Sequence, residues 1–480
     1  MASQPDTRQL LFWSAAGLAS GLMAFFGTGL HPVWWLIWIA PLPVLCLAPR
    51  ISARSIAACT FVAWAIGGLN MWSYLSRVGV PLTVRLLAVV APALIFMLAV
   101  LLFRWLILRE RCFFALLGFP AAWVTYEFVN AATSPHSTFG SVAYSQMNFL
   151  PILQIASVTG IWGIVFCLFL FPASVAALLV TKNNRARATA CAGLAVLTAV
   201  VGWGAWRLRA TSSAPTVMVG LVASDAPHNV FPEKPEDTLR LLNEYAEAAD
   251  RLVAQGAQLV IAPEKIGVVP DADIKRVDAM FTELSERSKA VIVAGVVHPT
   301  PGPDWNEARI YSGDSLRVYE KHHMLPAFES QFTVGTERTL LDEPSGRWGV
   351  TICKDMDFPK LSRQYGNDGV GLLLVPAWDF KVDGWLHGRM AILRGVESGF
   401  SIARAPKQGI LTITDNRGRV LAEAATNAAP FVTLLARVPV QHESTLYARW
   451  GDWFVWVSVA LLAFTLAVAA KPRMRSRESH

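Results

Sequence analysis

Apolar runs of roughly twenty residues crowd the first 206 positions and return once near 450–470; they are the strongest constraint on what this chain can fold into. A helix rises about 1.5 Å per residue, so a run of that length crosses the ~30 Å hydrocarbon core of a bilayer. Such runs lie near 9–28, 31–49, 55–75, 84–108, 112–130, 150–181, 187–206 and 450–470. The third is interrupted by Asn70 and Ser73, and the sixth is long enough to be tilted or broken. The chain therefore reads as an α-helical membrane bundle over 1–207, a soluble domain over 208–448, and a closing membrane helix with a basic tail over 449–480. With 54% hydrophobic and only 16% charged residues, it is not one large soluble core.

The first run carries Trp13, Phe25 and Phe26, lacks a convincing small-residue cleavage site and leads directly into the second, so it reads as a retained helix. Lys and Arg in short loops set orientation. With the N-terminus inside, Arg8, Arg50, Arg54, Arg104, Arg109, Arg111, Lys182, Arg185, Arg187, Lys471, Arg473, Arg475 and Arg477 all fall on the cytoplasmic side. Arg77, Arg85, Arg207 and Arg209 fall opposite. Both termini are thus expected in the cytoplasm and 208–448 outside it. Much of the net charge of +7 is this topology signal and needs no nucleic acid to explain it.

After a linker at 208–215, short apolar runs alternate with helical periodicity. Strands are expected at 217–222, 259–262, 291–297, 349–352, 371–375, 401–403, 410–414 and 431–436, with helices at 236–254, 272–289 and 386–399. That alternation predicts a layered α/β domain. Strand ends are where an open α/β sheet presents its chemistry. Here they carry Glu264 in Ala-Pro-Glu, Lys321 in Tyr-Glu-Lys-His-His and Cys353 in Thr-Ile-Cys-Lys-Asp. A carboxylate, an ammonium and a thiol suffice for acyl transfer as base, oxyanion stabiliser and nucleophile. The other cysteines, Cys46, Cys59, Cys112, Cys167 and Cys191, lie in or beside apolar runs, which leaves Cys353 without a disulfide partner in the soluble stretch. A lone exposed thiol is a liability in an oxidising compartment unless it is used. Each residue alone also has a bland reading: a buried thiol, a helix-capping glutamate or one paired with Lys265, a surface lysine. No Walker-type loop, dinucleotide fingerprint or metal-ligand cluster occurs, so neither cofactor nor metal is expected. His322 and His323 lack a third spaced ligand.

The motifs Ala-Pro-Glu264, Tyr-Glu-Lys321-His-His-Met-Leu-Pro and Ile-Cys353-Lys-Asp-Met-Asp-Phe-Pro resemble the nitrilase superfamily of carbon–nitrogen hydrolases, whose domains are four-layer α-β-β-α sandwiches. In the apolar half, Pro120-Ala-Ala-Trp-Val-Thr-Tyr-Glu127, Gly140-Ser-Val-Ala-Tyr144-Ser-Gln146 and Gln154-Ile-Ala-Ser-Val-Thr-Gly160-Ile-Trp-Gly163 are similar to the apolipoprotein N-acyltransferase family. That resemblance implies a multi-pass protein of the bacterial inner membrane with a periplasmic catalytic domain. It implies a phospholipid acyl donor, a thioester on the cysteine and transfer to the N-terminal amine of a diacylglyceryl-modified lipoprotein cysteine, without cofactor, in a monomer. It assigns Glu264 as general base, Lys321 as oxyanion stabiliser, Cys353 as nucleophile and Glu329 as a supporting glutamate. Lys354 contributes its backbone N–H to the oxyanion.

The sequence departs from the family where Lys354-Asp355 stands for Tyr-Glu, where Pro-Ala-Phe-Glu329 stands for Pro-Phe-Gly-Glu, and at Phe128-Val-Asn130. These touch the acceptor side and keep open a membrane-bound amidase using the same three residues; a scaffold with a vestigial domain is the third reading. Trp378 and Trp385 are candidates to line the acyl or headgroup site, or simply to pack. Tyr144 and Gln146 lie in the extracytoplasmic loop 131–149 and are equally readable as plain connection. Glu127, an ionisable group in an apolar run, needs a cavity or a partner.

Overall fold

The computed structural model describes residues 6–211, 213–232 and 234–471; Arg473, Arg475 and Arg477 of the expected basic tail lie outside them. Two compact units result, one of residues 1–134, 140–207 and 452–480, the other of 135–139 and 208–451.

In the helical unit, seven helices among the described residues are long and apolar enough to cross a membrane: Thr7–Gly27, Ala53–Arg77, Leu82–Ile107, Cys112–Thr133, Ile161–Val180, Asn184–Arg207 and Trp453–Ala470. The run at 31–49, expected as a span, is not one. It folds as the short pieces Leu36–Ile39 and Leu42–Leu47 with a 3₁₀ turn at Ala48–Arg50. Pro32, Pro41 and Pro43 remove backbone donors there and restrict the preceding residues, so one continuous helix is blocked. The long run at 150–181 is broken: Leu150–Leu153 and Ala156–Thr159 precede Gly160, whose φ of 66° only glycine adopts freely, and Ile161–Val180 starts afresh. At Asn70 the α-helix Ala53–Gly68 gives way to a 3₁₀ turn, Leu69–Met71, before helix resumes at Trp72–Arg77, and the Asn70 amide donates to Phe25 O (3.2 Å) and Thr28 Oγ1 (2.7 Å).

The other unit holds two six-stranded sheets. In chain order the strands are β1 (Thr216–Ala223), β2 (Leu259–Ile261), β3 (Val291–His298), β4 (Trp305–Ser312), β5 (Ser315–Glu320), β6 (Thr339–Glu343), β7 (Gly346–Val350), β8 (Leu372–Trp378), β9 (Ser401–Lys407), β10 (Ile410–Thr414), β11 (Val420–Ala425) and β12 (Val432–Pro439). The sheet orders are β12-β1-β2-β3-β4-β5 and β11-β10-β9-β8-β7-β6. Each has a parallel centre, β1-β2-β3 in one and β7-β8-β9 in the other, flanked by antiparallel strands. Parallel strands are buried on both faces, which is why 259–261, 291–297 and 372–377 read as unbroken apolar runs.

The inner faces share one core, with Val219, Leu221 and Ile261 from the first sheet against Val350, Leu374 and Ile413 from the second. Helices Pro235–Ala254 and Asp271–Ser288 cover the outer face of the first sheet through Leu242, Leu252 and Phe281. Pro359–Asn367 and Gly384–Ser398 cover that of the second through Leu361, Tyr365 and Ala391. The result is the expected four-layer α-β-β-α sandwich. Strands β4, β6 and β11 were not anticipated, and β5, the strand expected before Lys321, is mostly exposed rather than buried. β5 and β11 are edge strands with mostly exposed side chains, and Trp-Asn-Glu-Ala-Arg-Ile-Tyr-Ser of β4 carries charge inside the sheet, so neither type offers a continuous apolar signal.

Gly295 of β3 fixes the approach of the turn after β2: a Cβ there would lie 2.4 Å from Pro263 O and 2.7 Å from Glu264 Cα. Backbone cannot yield as a side-chain tip can, so Gly295→Ala should displace Glu264. The expected outcome is a thermal midpoint lowered by the equivalent of about 2 kcal/mol or more, measured by calorimetry.

Candidate active site

Glu264 stands just past β2, its N–H donating to Ala377 O of the second sheet (3.2 Å). Lys321 is the first residue past β5, and its N–H donates to Asn306 O of β4 (2.9 Å). Both side chains are buried. The Lys321 ammonium donates to Glu264 Oε1 (2.8 Å) and to both Glu329 oxygens (3.0 and 2.8 Å). Asn306 Nδ2 bridges the same carboxylates, at 2.7 Å from Glu264 and 3.0 Å from Glu329. Glu329, also buried, accepts from Leu325 N (2.7 Å) and from the Lys265 ammonium, which lies 3.8 Å from Glu264. Two carboxylates and two ammoniums thus share one nearly dry site.

Burial alone would raise the Glu264 pKa, but the Lys321 and Lys265 charges and the hydrogen bonds win, and the carboxyl is held below its ordinary value. Burial would lower the Lys321 pKa, yet Glu264, Glu329 and Cys353 raise it. Lys321 is therefore a permanent cation and Glu264 a permanent anion at neutral pH.

Cys353 follows β7 with a left-handed backbone, φ 46°, a turn that swings a side chain off the strand end. Its Sγ donates to Trp378 O (3.4 Å). Burial, then the Glu264 charge, push the thiol pKa well up, and Lys321 only partly opposes them. At rest the thiol is therefore neutral and the Glu264 carboxyl ionised.

The residues after Cys353 hold the turn. Asp355 accepts from Ile352 N (3.0 Å), Tyr319 OH (2.7 Å) and His323 N (2.9 Å), and pairs with His323 Nδ1 (2.9 Å). The Lys354 ammonium lies 3.1 Å from His136 Nδ1 and 3.2 Å from Asp357. Burial and then Lys354 push the His136 pKa down to about 4, so the imidazole is neutral. His387 goes the other way. Burial would depress it, but Asp383, 3.3 Å away, and Asp379 lift it to about 9.

Trp378 closes β8 beside the thiol through its carbonyl, whereas Trp385 opens the helix Gly384–Ser398 with Arg389 over its ring (5.5 Å). Glu127 is in the helical unit, accepting from Trp123 Nε1 (2.8 Å), Ser141 Oγ (2.5 Å) and Val142 N (3.2 Å). Gln146 is buried in the same unit with its amide engaged by Trp38 Nε1 (2.7 Å), Trp34 O (2.9 Å) and Ser145 Oγ (2.8 Å). Tyr144 is buried beside it.

Sequence reasoning missed Asn306, hidden in a polar strand, and took Lys265 only as a pairing partner for Glu264. It also missed the buried pair of Arg404 with Asp379 (2.9 and 2.5 Å), and Lys407 at the end of β9. The signal for these was charge inside or just past an apolar strand, as in Ala-Arg-Ala-Pro-Lys.

The profile of the carbon–nitrogen hydrolase domain matches residues 221–449, the unit that holds this site. An amidase from Nesterenkonia sp. is similar in fold at 19% identity, TM-score 0.41, over 52% of this chain and 98% of its own. A nitrilase-superfamily protein of Saccharomyces cerevisiae is similar at 20% identity, TM-score 0.42, over 56% and 100%. The soluble unit is a carbon–nitrogen hydrolase domain, carried on a chain with membrane-length helices. The apolipoprotein N-acyltransferase N-terminal domain matches residues 20–174. Curated apolipoprotein N-acyltransferases of Geobacter metallireducens (26% identity over 93% of this chain and 92% of the relative) and Rhodopseudomonas palustris (26% over 70% of each) are similar along both halves. The chain belongs to the apolipoprotein N-acyltransferase family.

Lys321→Met should leave two buried carboxylates short of their shared cation and destabilise the domain by about 3–5 kcal/mol. Adding Glu329→Gln should recover part of that loss; denaturant titration of the two variants checks it. His387 gives a pH signature. Its folded pKa is raised from 6.5 to about 9, so its contribution is complete below pH 6.5 and is lost as pH rises through 9. The thermal midpoint of the wild type should fall toward that of His387→Gln across this window, measured by thermal scans at pH 6 and pH 9.

Proposed function

We propose that this acyltransferase takes an acyl chain from a phospholipid onto Cys353 and passes it to the N-terminal amine of a diacylglyceryl-modified lipoprotein cysteine. The observation that carries the reading is the buried Lys321 ammonium shared between Glu264 and Glu329 beside a neutral thiol. Glu264 takes the thiol proton as sulfur attacks the ester carbonyl. The oxyanion that forms meets the Lys321 ammonium and the N–H of Lys354; losing one such donor typically lowers the rate about 10²–10³-fold. The tetrahedral centre collapses, the lysophospholipid alkoxide leaves with the proton from Glu264, and a thioester remains. The lipoprotein amine attacks the thioester, Glu264 takes its proton, and the thiol recovers it as the amide departs. No cofactor enters. Glu329 and Lys265 keep Glu264 ionised and Lys321 in place throughout.

Both substrates live in the bilayer. A soluble enzyme would have to extract acyl chains against roughly 0.8 kcal/mol per buried CH₂, which gives the apolar helices a chemical reason as well as a tethering one. The charge asymmetry of the short loops supports an orientation in the bacterial inner membrane with residues 208–448 on the extracytoplasmic side and both termini in the cytoplasm.

Intact mass of the purified protein after incubation with phospholipid, beside Cys353→Ala, tests the reading. An acyl-sized, hydroxylamine-labile gain is expected on the wild type and absent from the variant. Adding a diacylglyceryl peptide should discharge the acyl group onto the peptide amine. Release as free fatty acid instead would favour an amidase-type hydrolase, and no adduct with any phospholipid would sink the acyl-enzyme altogether.

A further inference from the structure

Lys407 ends β9 and is completely buried, yet among the described residues no carboxylate lies within hydrogen-bonding distance of its ammonium. It donates to Lys265 O (2.7 Å) and to Val230 O, and lies 3.7 Å from the centroid of the Trp378 ring. Trp378 is its register partner on β8 and carries the carbonyl that accepts from Cys353 Sγ. Lys265 follows Glu264 directly and sits in a left-handed turn, φ 52°. One ammonium therefore holds the backbone beside the base and the ring of the residue beside the thiol.

We propose that Lys407 is a positioning residue for the reacting thiol: its charged form clamps Trp378 and the Glu264–Lys265 turn to the end of β9, and loss of its proton loosens that clamp. The inference rests on Cys353 being the nucleophile. An ammonium has three N–H donors. Two serve the carbonyls and the third faces the indole, where a cation is attracted to the ring. A neutral amine keeps its two carbonyl bonds but turns a lone pair toward the negative face of the indole. The Trp378 carbonyl, held also through Trp378 Nε1 donating to Gln408 Oε1 (3.0 Å), then grips the thiol less firmly.

The surroundings make this switch accessible near neutrality. Burial, first of all, pulls the Lys407 pKa down to about 7; Glu264 and Asp225 pull it up and Lys265 pulls it down. The next charges along β8 and β9, Asp379 and Arg404, neutralise each other in a bidentate pair. Asp225, on the loop after β1, is engaged by Gln408 N (2.6 Å) and Thr426 Oγ1 (2.6 Å) rather than by Lys407.

The test is the rate of iodoacetamide alkylation at Cys353 against pH 5.5–9, read by peptide mass spectrometry on the full chain in detergent micelles. The wild type should show a step near pH 7 on the rising thiolate limb, with the upper branch about threefold faster than the lower branch extrapolates. Lys407→Arg, charged throughout, should follow the lower branch at every pH. Lys407→Gln, uncharged throughout, should follow the upper one. A wild-type profile without an inflection between pH 6 and 8 overturns the proposal even if neither variant folds, and so does superposition of wild type and Lys407→Arg within twofold. Alkylation needs no lipid. A step without an acyl adduct would keep Lys407 and remove the acyl-transfer reading; an adduct without a step would do the reverse.

Discussion

The structure of the site depends on balancing four buried charges. Glu264, Glu329, Lys265 and Lys321 sit where water is largely excluded, and removing an ion from water is opposed by several kcal/mol even after relaxation. They persist because each carboxylate faces two ammoniums and Asn306 supplies the remaining donor. Deleting one charge would strand its partners, so the quartet acts as a unit. It also fixes protonation: an anion held low and a cation held high stay charged across the neutral range without solvent. Charges fixed in this way form a preorganised field before any ligand arrives.

The fold delivers that quartet to the thiol by a division of labour between the sheets. Glu264, Asn306, Lys321 and the loop bearing Glu329 belong to the first sheet and its connections; Cys353, Trp378, Arg404 and Lys407 belong to the second. Face-to-face packing brings the two sets together, and the hydrogen bond from Glu264 N to Ala377 O joins the sheets at the site itself. The apolar inner core is thus what sets the charge against the nucleophile. Similar chemistry at a single sheet's edge would leave the thiol on a surface, its pKa set by water.

Much of this was legible from the residues, and the remainder had physical reasons to be hidden. Parallel central strands announce themselves as apolar runs, so Glu264 and Cys353 stood out as polar residues just past them. Lys321 was also read as standing at the end of a buried strand, but its strand is an exposed edge, and the motif was the sounder mark. Asn306 was invisible because a polar residue within a strand ordinarily faces solvent, and only the sandwich turns it inward; Lys407 was passed over although it closes a buried strand. The 31–49 run shows the converse limit: composition measured its hydropathy, but the spacing of its prolines decided its backbone. The departure at Lys354-Asp355 also becomes intelligible. Asp355 is spent on four local bonds that shape the turn, and Lys354 is paired with Asp357 and a neutral His136, so neither residue disturbs the charge balance at Glu264.

Three left-handed residues follow the parallel strands at the site: Lys265 after β2, Cys353 after β7 and Gln408 after β9. None is glycine, and such a conformation is unfavourable by about 1 kcal/mol or more for an ordinary side chain. Each is held by contacts already needed for the chemistry. Lys265 is held by Glu329 and by Lys407 on its carbonyl, Cys353 by Trp378 O and the Asp355 turn, and Gln408 by Asp225 and the Trp378 indole. The same bonds that tolerate the strain fix the backbone beside Glu264, the Cys353 thiol and the Trp378 ring. Relaxing any one turn would release strain locally but unpair a buried charge or a buried donor nearby, which costs more. The strained geometry and the buried charges therefore hold each other in place, and a neutral thiol and an ionised carboxylate coexist in one buried site.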